Sequence, residues 1–334
     1  MKRLLLLALA SIAPAAALFG QTASDVIIDR AQQPAPPPAP SSPATKGDTD
    51  EKGDLDGGVQ RIAATRKLPF KLTFAYDAQV YYTDNVFLQP SDEVESVVVA
   101  NTLVARAEGN SHAVGQGLLI PSIGLVYQRY NHDLFSDDAF RKDLDFDAYS
   151  IPLLARYRFG NNWEIALGVT GTAVYTLEPG YELTYKSIAT TLSVRKLIAL
   201  GRDHILSFGA GATYFATDAD TPAGPLGFRD DRNDKTDYTL DAGYYYLKDR
   251  WVAGPYARVT YSDYVHFQEG AFTDVDRRDL TGSIGVSVSY AFTPWASVRL
   301  FSSFDWRSPQ GDELVDYSYE TANIGAGGTL SVSF

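Results

Sequence analysis

Histidine and cysteine decide first which chemistry is open to this 334-residue chain, and it has four of one and none of the other. Without cysteine there is no disulfide, thiolate metal site, iron–sulfur cluster or thiol nucleophile. Ser262, Asp263 and His266 are the one set that places a hydroxyl, a carboxylate and an imidazole close together in sequence. They fall at the end of a predicted strand, where a rise of ~3.3 Å per residue puts Ser262 and His266 roughly 13 Å apart. A general base must come within about 3 Å of its nucleophile, so these residues make no catalytic pair. His112, His132 and His204 lie in separate segments without metal-ligand spacing, and no G-x-S-x-G, H-E-x-x-H or phosphate loop occurs. Neither enzyme, cofactor nor metal site is expected.

Charged side chains on alternating positions are the richer resource. One parity of the predicted strands carries Lys71, Asp77, Arg156, Arg158, Glu164, Asp241, Arg258, Arg299, Asp305 and Arg307. Tyr81, Tyr245 and Tyr256 share it and offer flat surfaces on which sugar rings stack. Two readings follow for such a set if it lines an interior. It is a salt-bridged filling, or it is a selectivity ladder whose excess of Arg draws anionic or sugar-acid solutes.

The elements that must position these groups are strands. Phe70, Leu72, Phe74, Tyr76, Ala78, Val80 and Tyr82 alternate with Lys71, Thr73, Ala75, Asp77, Gln79 and Tyr81, a strict period of two. The pattern recurs and predicts twelve strands, at about 70–82, 95–107, 117–130, 146–159, 163–176 and 182–197, then 204–217, 236–248, 251–262, 279–292, 295–307 and 318–334. Two of them are irregular. Val97-Val98-Val99 does not alternate, and Ile188, Leu192 and Val194 are out of phase with Leu183 and Tyr185 unless a bulge separates them. Tight connectors follow the even strands (160–162, 201–203, 248–250, 293–294), and long polar ones follow most odd strands. Short turns on one rim and long loops on the other fit a transmembrane, antiparallel, up-and-down β-barrel with both termini in the periplasm.

Aromatic placement supports the membrane. Outward Phe70, Phe159, Trp163, Trp251, Phe292, Trp295 and Phe334 fall at the short-turn end. Tyr82, Tyr127, Tyr149, Tyr175, Tyr238, Tyr261 and Trp306 fall toward the long loops. Two aromatic girdles around an apolar band mark two membrane–water interfaces. A soluble β-sandwich has no reason to sort its aromatics to both ends. The apolar fraction of 45% and the net charge of −12 hide this, because every second strand residue is polar. That acidity also argues against nucleic acid as a partner.

The N-terminus reads as an export signal over residues 1–20. Lys2 and Arg3 precede a short apolar run from Leu4 to Ile12, too short to cross a bilayer, and Ala15-Ala16-Ala17 offers a cleavage site, with a cut near Gly20-Gln21 the alternative. Residues 21–67, with PAPPPAPSSP at 34–43, are expected to form a disordered Pro-, Gly- and Asp-rich periplasmic extension. The barrel takes 68–334.

Two short motifs carry resemblances. The chain closes on Leu330-Ser331-Val332-Ser333-Phe334, and a C-terminal Phe ending an alternating strand resembles the assembly signal of bacterial outer-membrane barrels. Tyr82-Thr83-Asp84-Asn85-Val86-Phe87 after the first strand resembles a porin family found with polysaccharide genes. The resemblances imply an outer-membrane location among lipid and lipopolysaccharide, and contact with the barrel-assembly machinery through Leu330, Val332 and Phe334. The expected function is passive passage of small, anionic or saccharide solutes. The alternative is a non-conducting structural or assembly barrel whose outer loops contact surface polysaccharide or partner proteins.

Overall fold

Every predicted strand forms within two residues of its expected ends. The computed structural model describes residues 26, 27, 30, 70–132, 142–177, 180–219, 231–265, 276–311 and 318–334. The strands are β1 (Phe70–Thr83), β2 (Ser96–Gly109), β3 (His112–Val114), β4 (Gly117–His132), β5 (Phe146–Phe159) and β6 (Trp163–Thr176). They continue as β7 (Glu182–Ala199), β8 (His204–Ala219), β9 (Lys235–Lys248), β10 (Trp251–Tyr264), β11 (Arg278–Thr293), β12 (Ala296–Pro309) and β13 (Tyr319–Ser333). Twelve of these are long and each pairs antiparallel with its neighbours in sequence order. β13 returns to β1, so no edge is left open and the backbone groups are satisfied without water.

β3 is an addition to the expected set. The connector holding His112 folds back on the start of β4, pairing His112 with Leu119 and Val114 with Gly117. Gly115 makes the reversal at φ +57°, and the Tyr157 hydroxyl donates to the Val114 carbonyl at 2.9 Å. The tight turns elsewhere use positive φ at Asn161, Asn162 and Asp249, residue types that tolerate the left-handed region.

Both irregular strands have physical causes. In β7 the ladder with β6 slips between Val174↔Tyr185 and Tyr175↔Leu183, leaving Thr184 unpaired as a bulge. That one residue resets the phase, so Ile188 and Leu192 point outward and exposed while Tyr185 points inward and buried. In β2, Val97 and Val99 face outward opposite Tyr82 and Val80, whereas Val98 faces inward opposite Tyr81. Val98 is fully buried, in one apolar cluster with Val26 and Ile27 inside the barrel.

The outer surface is apolar with aromatics at both ends. Phe70, Trp163, Trp251, Phe292 and Trp295 are exposed at the short-turn end, where Phe159 stacks on Trp163 with centroids 6.5 Å apart. Tyr82, Tyr149 and Tyr238 are exposed toward the long loops, and Tyr127 and Tyr175 flank Tyr149 at 5.1 and 5.9 Å. Tyr261 pairs with Tyr238 across β9 and β10, and Trp306 stacks beside Phe304 at 6.1 Å.

The seam is held by the last residue as well as by the ladder. Phe334 exchanges two backbone hydrogen bonds with Leu72, at 3.1 and 2.9 Å, and its ring meets Phe74 edge-on at 6.4 Å. An aromatic pair of this geometry is worth ~0.5–1.5 kcal/mol beyond its area. Phe334→Ala is therefore expected to lower barrel stability by about 1 kcal/mol, read from urea unfolding in lipid vesicles.

Candidate functional site: the barrel interior

The register turns all the charged candidates inward, but it divides them between a cavity and the wall. At the short-turn end Arg156, Arg158, Arg195, Arg258, Glu164 and Asp241 surround a cavity of about 770 Å³. That volume is within the range of small-molecule sites. Tyr245 and Tyr256 are part of the same lining. Arg158 is bonded to Glu164 at 2.7 Å, and Arg156 contacts Glu108, which also lies 3.5 Å from Arg106. Arg195 lies 3.8 Å from Asp241. Lys71 sits exposed near the same mouth, opposite Glu108 in register.

Arg258 differs from these. Asp241 is its cross-strand partner in the ladder, yet the carboxylate turns away and fills the space over Gly209, where a Cβ would stand 2.7 Å from its Cγ. Arg258 thus has no ion-pair partner among the described residues while it lines the cavity. Four arginines against two carboxylates leave the lining two positive charges in excess. A cavity with low-dielectric walls focuses that field.

The other candidates belong to the wall or to the far end. Asp77 accepts hydrogen bonds from Gln79 at 2.6 Å and Thr329 at 2.5 Å, and buried Arg299 reaches it at 3.5 Å from beside the Phe301 ring. Asp305 accepts from Ser303 at 3.0 Å and Asn323 at 2.7 Å. Buried Arg307 lies over Tyr319 and 3.9 Å from Asp279. Tyr81 is packed against Phe301 at 6.2 Å, at the opposite end from Tyr245 and Tyr256, so the three tyrosines do not form one surface.

Among the described residues, the long-loop end carries packed apolar side chains inside the barrel. Val26 (1% exposed), Ile27 (0%), Val86, Val98, Phe146, Val174, Tyr185 and Tyr319 form one buried apolar cluster there. Arg30 is buried beside it. Its Nη2 donates to the Val86 carbonyl at 2.8 Å and the Asn85 carbonyl at 3.5 Å, and its Nη1 donates to the Tyr81 hydroxyl at 3.5 Å. The expectation that residues 21–67 pack against nothing therefore fails at positions 26, 27 and 30. The rest of that segment, its Pro-rich tract, and the signal at 1–20 lie outside the described residues.

The Asp84-Asn85-Val86 motif acquires a structural role here. Asp84 accepts from the Ala322 backbone N–H at 2.8 Å and from the Thr321 hydroxyl at 3.0 Å, tying the loop to β13. Asn85 is fully buried, donates to the Gln89 and Glu320 carbonyls at 2.7 and 3.1 Å, and accepts from the Gln89 N–H. The loop so fixed presents the Val86 carbonyl to Arg30.

Histidines do other work. His132 is buried against Asp145 at 3.3 Å, and His204 meets the Tyr244 hydroxyl at 2.6 Å. His266 lies outside the described residues, and Ser262 is buried facing the interior. No three His, Asp or Glu among the described residues converge as metal ligands do.

A closed ring of twelve long strands, apolar outside with two aromatic girdles and charged inside, defines a membrane-spanning barrel of the outer-membrane kind. One solved structure agrees on the fold. The COG4313 outer membrane channel from Pseudomonas putida F1 is 14% identical, with a TM-score of 0.51 over 84% of this chain and all of that one. A KdgM porin in complex with disordered oligogalacturonate aligns at 11% identity and TM-score 0.38, over 77% of this chain and 98% of that one. A NanC porin aligns at 9% and 0.36, over 75% and 98%. These last two superpose too loosely to add to the likeness. No protein-family model and no curated protein matches the sequence.

Proposed function

We propose that this protein is a porin-like channel of the bacterial outer membrane that passes small anionic solutes, sugar acids among them. The carrying observation is the cavity at the short-turn end, with its two excess positive charges and the unpaired Arg258. Arginine suits the task because its planar guanidinium donates to a carboxylate in a two-pronged fashion. Tyr245 and Tyr256 beside it add ring faces of the kind on which sugars stack. Lipid and lipopolysaccharide are the expected surroundings, and Leu330, Val332 and Phe334 the expected handle for the assembly machinery.

The apolar packing at the long-loop end favours the second reading, a structural barrel that conducts nothing. Planar-bilayer recording under a salt gradient separates the two. The expected result is a chloride-over-potassium permeability ratio above one. Cation preference, or silence from both the intact chain and a chain lacking residues 26–30, would sink the channel reading.

A further inference from the structure

We infer that the chain carries its own plug: Val26, Ile27 and Arg30 sit in the long-loop end of the interior and hold the pore shut, with Arg30 as the latch. The inference rests on the channel reading and adds its regulation. Its basis is packing of a kind that a passing tail does not make. Val26 and Ile27 are as buried as any residue of the barrel, and the surfaces that receive them come from separate strands: Val98 of β2, Phe146 of β5, Val174 of β6, Tyr185 of β7 and Tyr319 of β13. Inward positions of a water-filled barrel are polar. Here the inward positions of β2, β5, β6 and β7 near the long loops are apolar and cluster with Val26 and Ile27, whereas β11 and β12 carry buried Asp279 and Arg307 at that end and the cavity end is polar or charged throughout.

Arg30 makes the attachment specific. It is 9% exposed, and it donates to two carbonyls of one loop and to Tyr81. Hydrogen bonds from a charged donor are stronger than neutral ones, so a few of them can hold a short segment in place. The Asp84 and Asn85 bonds to β13 keep the receiving loop rigid, so the seat exists before the latch enters.

Two measurements test this on the full-length protein reconstituted in bilayers. The intact chain should conduct little, and both a deletion of residues 26–30 and Arg30→Glu should conduct severalfold more, with all three showing the gel migration of a folded barrel before heating. Because the chain lacks cysteine, Ile27→Cys gives a clean second readout. It should resist a membrane-impermeant maleimide, and react once Arg30→Glu is added. Equal conductance from the intact and deleted chains would overturn the plug and leave the channel standing. Silence from every form would overturn both. An Ile27→Cys that reacts as fast as in the unfolded protein would overturn the plug whatever the conductance.

Discussion

Asp279→Ala is expected to cost about 3–5 kcal/mol of barrel stability, because it strips a carboxylate from between buried guanidiniums. Asp279 is 1% exposed. Arg277 grips it with Nε at 3.0 Å and Nη2 at 2.8 Å, and the Nε of Arg307 lies 3.9 Å from the same oxygen. Each arginine also lies over a ring, Arg277 on Tyr264 at 4.3 Å and Arg307 on Tyr319 at 4.9 Å, so neither can swing to solvent without losing packing. Removing the acid takes a carboxylate from beside two buried guanidiniums. Asp279→Asn keeps the shape and an acceptor but not the charge, and should fall between. The exposed pair Asp263 and Arg278, 3.7 Å apart, is the control: Asp263→Ala should change stability by less than ~1 kcal/mol. Urea unfolding in lipid vesicles reads all three. An Asp279→Ala loss no larger than the control's would show that the cluster is solvated rather than buried.

The strands were legible because a period of two over fourteen or more residues leaves little room for another structure, and closure then follows from the absence of any strand that could tolerate an edge. The faces were equally legible: Arg258, Asp241 and Glu164 point inward because their neighbours Ala257, Leu240 and Trp163 are outward. What alternation cannot convey is depth along the interior. Arg299 and Arg258 share the inward parity, yet one is buried against Asp77 and Phe301 and the other lines the cavity. Nor does it reveal which acid an arginine finds, since the ladder sets Asp241 opposite Arg258 while the side chain turns to Arg195. The packed end did leave a trace. Val98, Phe146, Val174 and Tyr185 are apolar at inward positions near the long loops, and the failed alternation at Val97-Val98-Val99 is the same signal. Read as an irregular strand, it does not name an occupant, and nothing in the strands says that residues 26, 27 and 30 of the chain supply one, because that contact spans a low-complexity segment without periodicity.

Arg258→Glu is expected to abolish anion preference, and the double variant Arg258→Glu with Arg195→Glu to reverse it. The cavity lining carries four arginines and two carboxylates. The single exchange brings this to three of each, and the second to two positive against four negative. Arg258 is the right first choice because no carboxylate is lost from a pair when it changes, whereas Arg158 and Arg156 each hold a glutamate. Recording in the chain lacking residues 26–30 keeps the long-loop end from limiting the current. The effect should be largest at low salt, since a Debye length of ~30 Å at 0.01 M spans the cavity and one of ~3 Å at 1 M does not. Lys196 supplies the control for net charge. It lies on the outer face of β7, 5.0 Å over the Trp163 ring and donating to the Asn161 carbonyl at the rim, and Lys196→Glu changes the protein's total charge by the same amount with no charge placed in the lumen. If the permeability ratio follows Lys196→Glu as strongly as Arg258→Glu, selection is a property of the whole surface field. If it follows Arg258 alone, the ions that cross pass within reach of that guanidinium, and the cavity is part of the path.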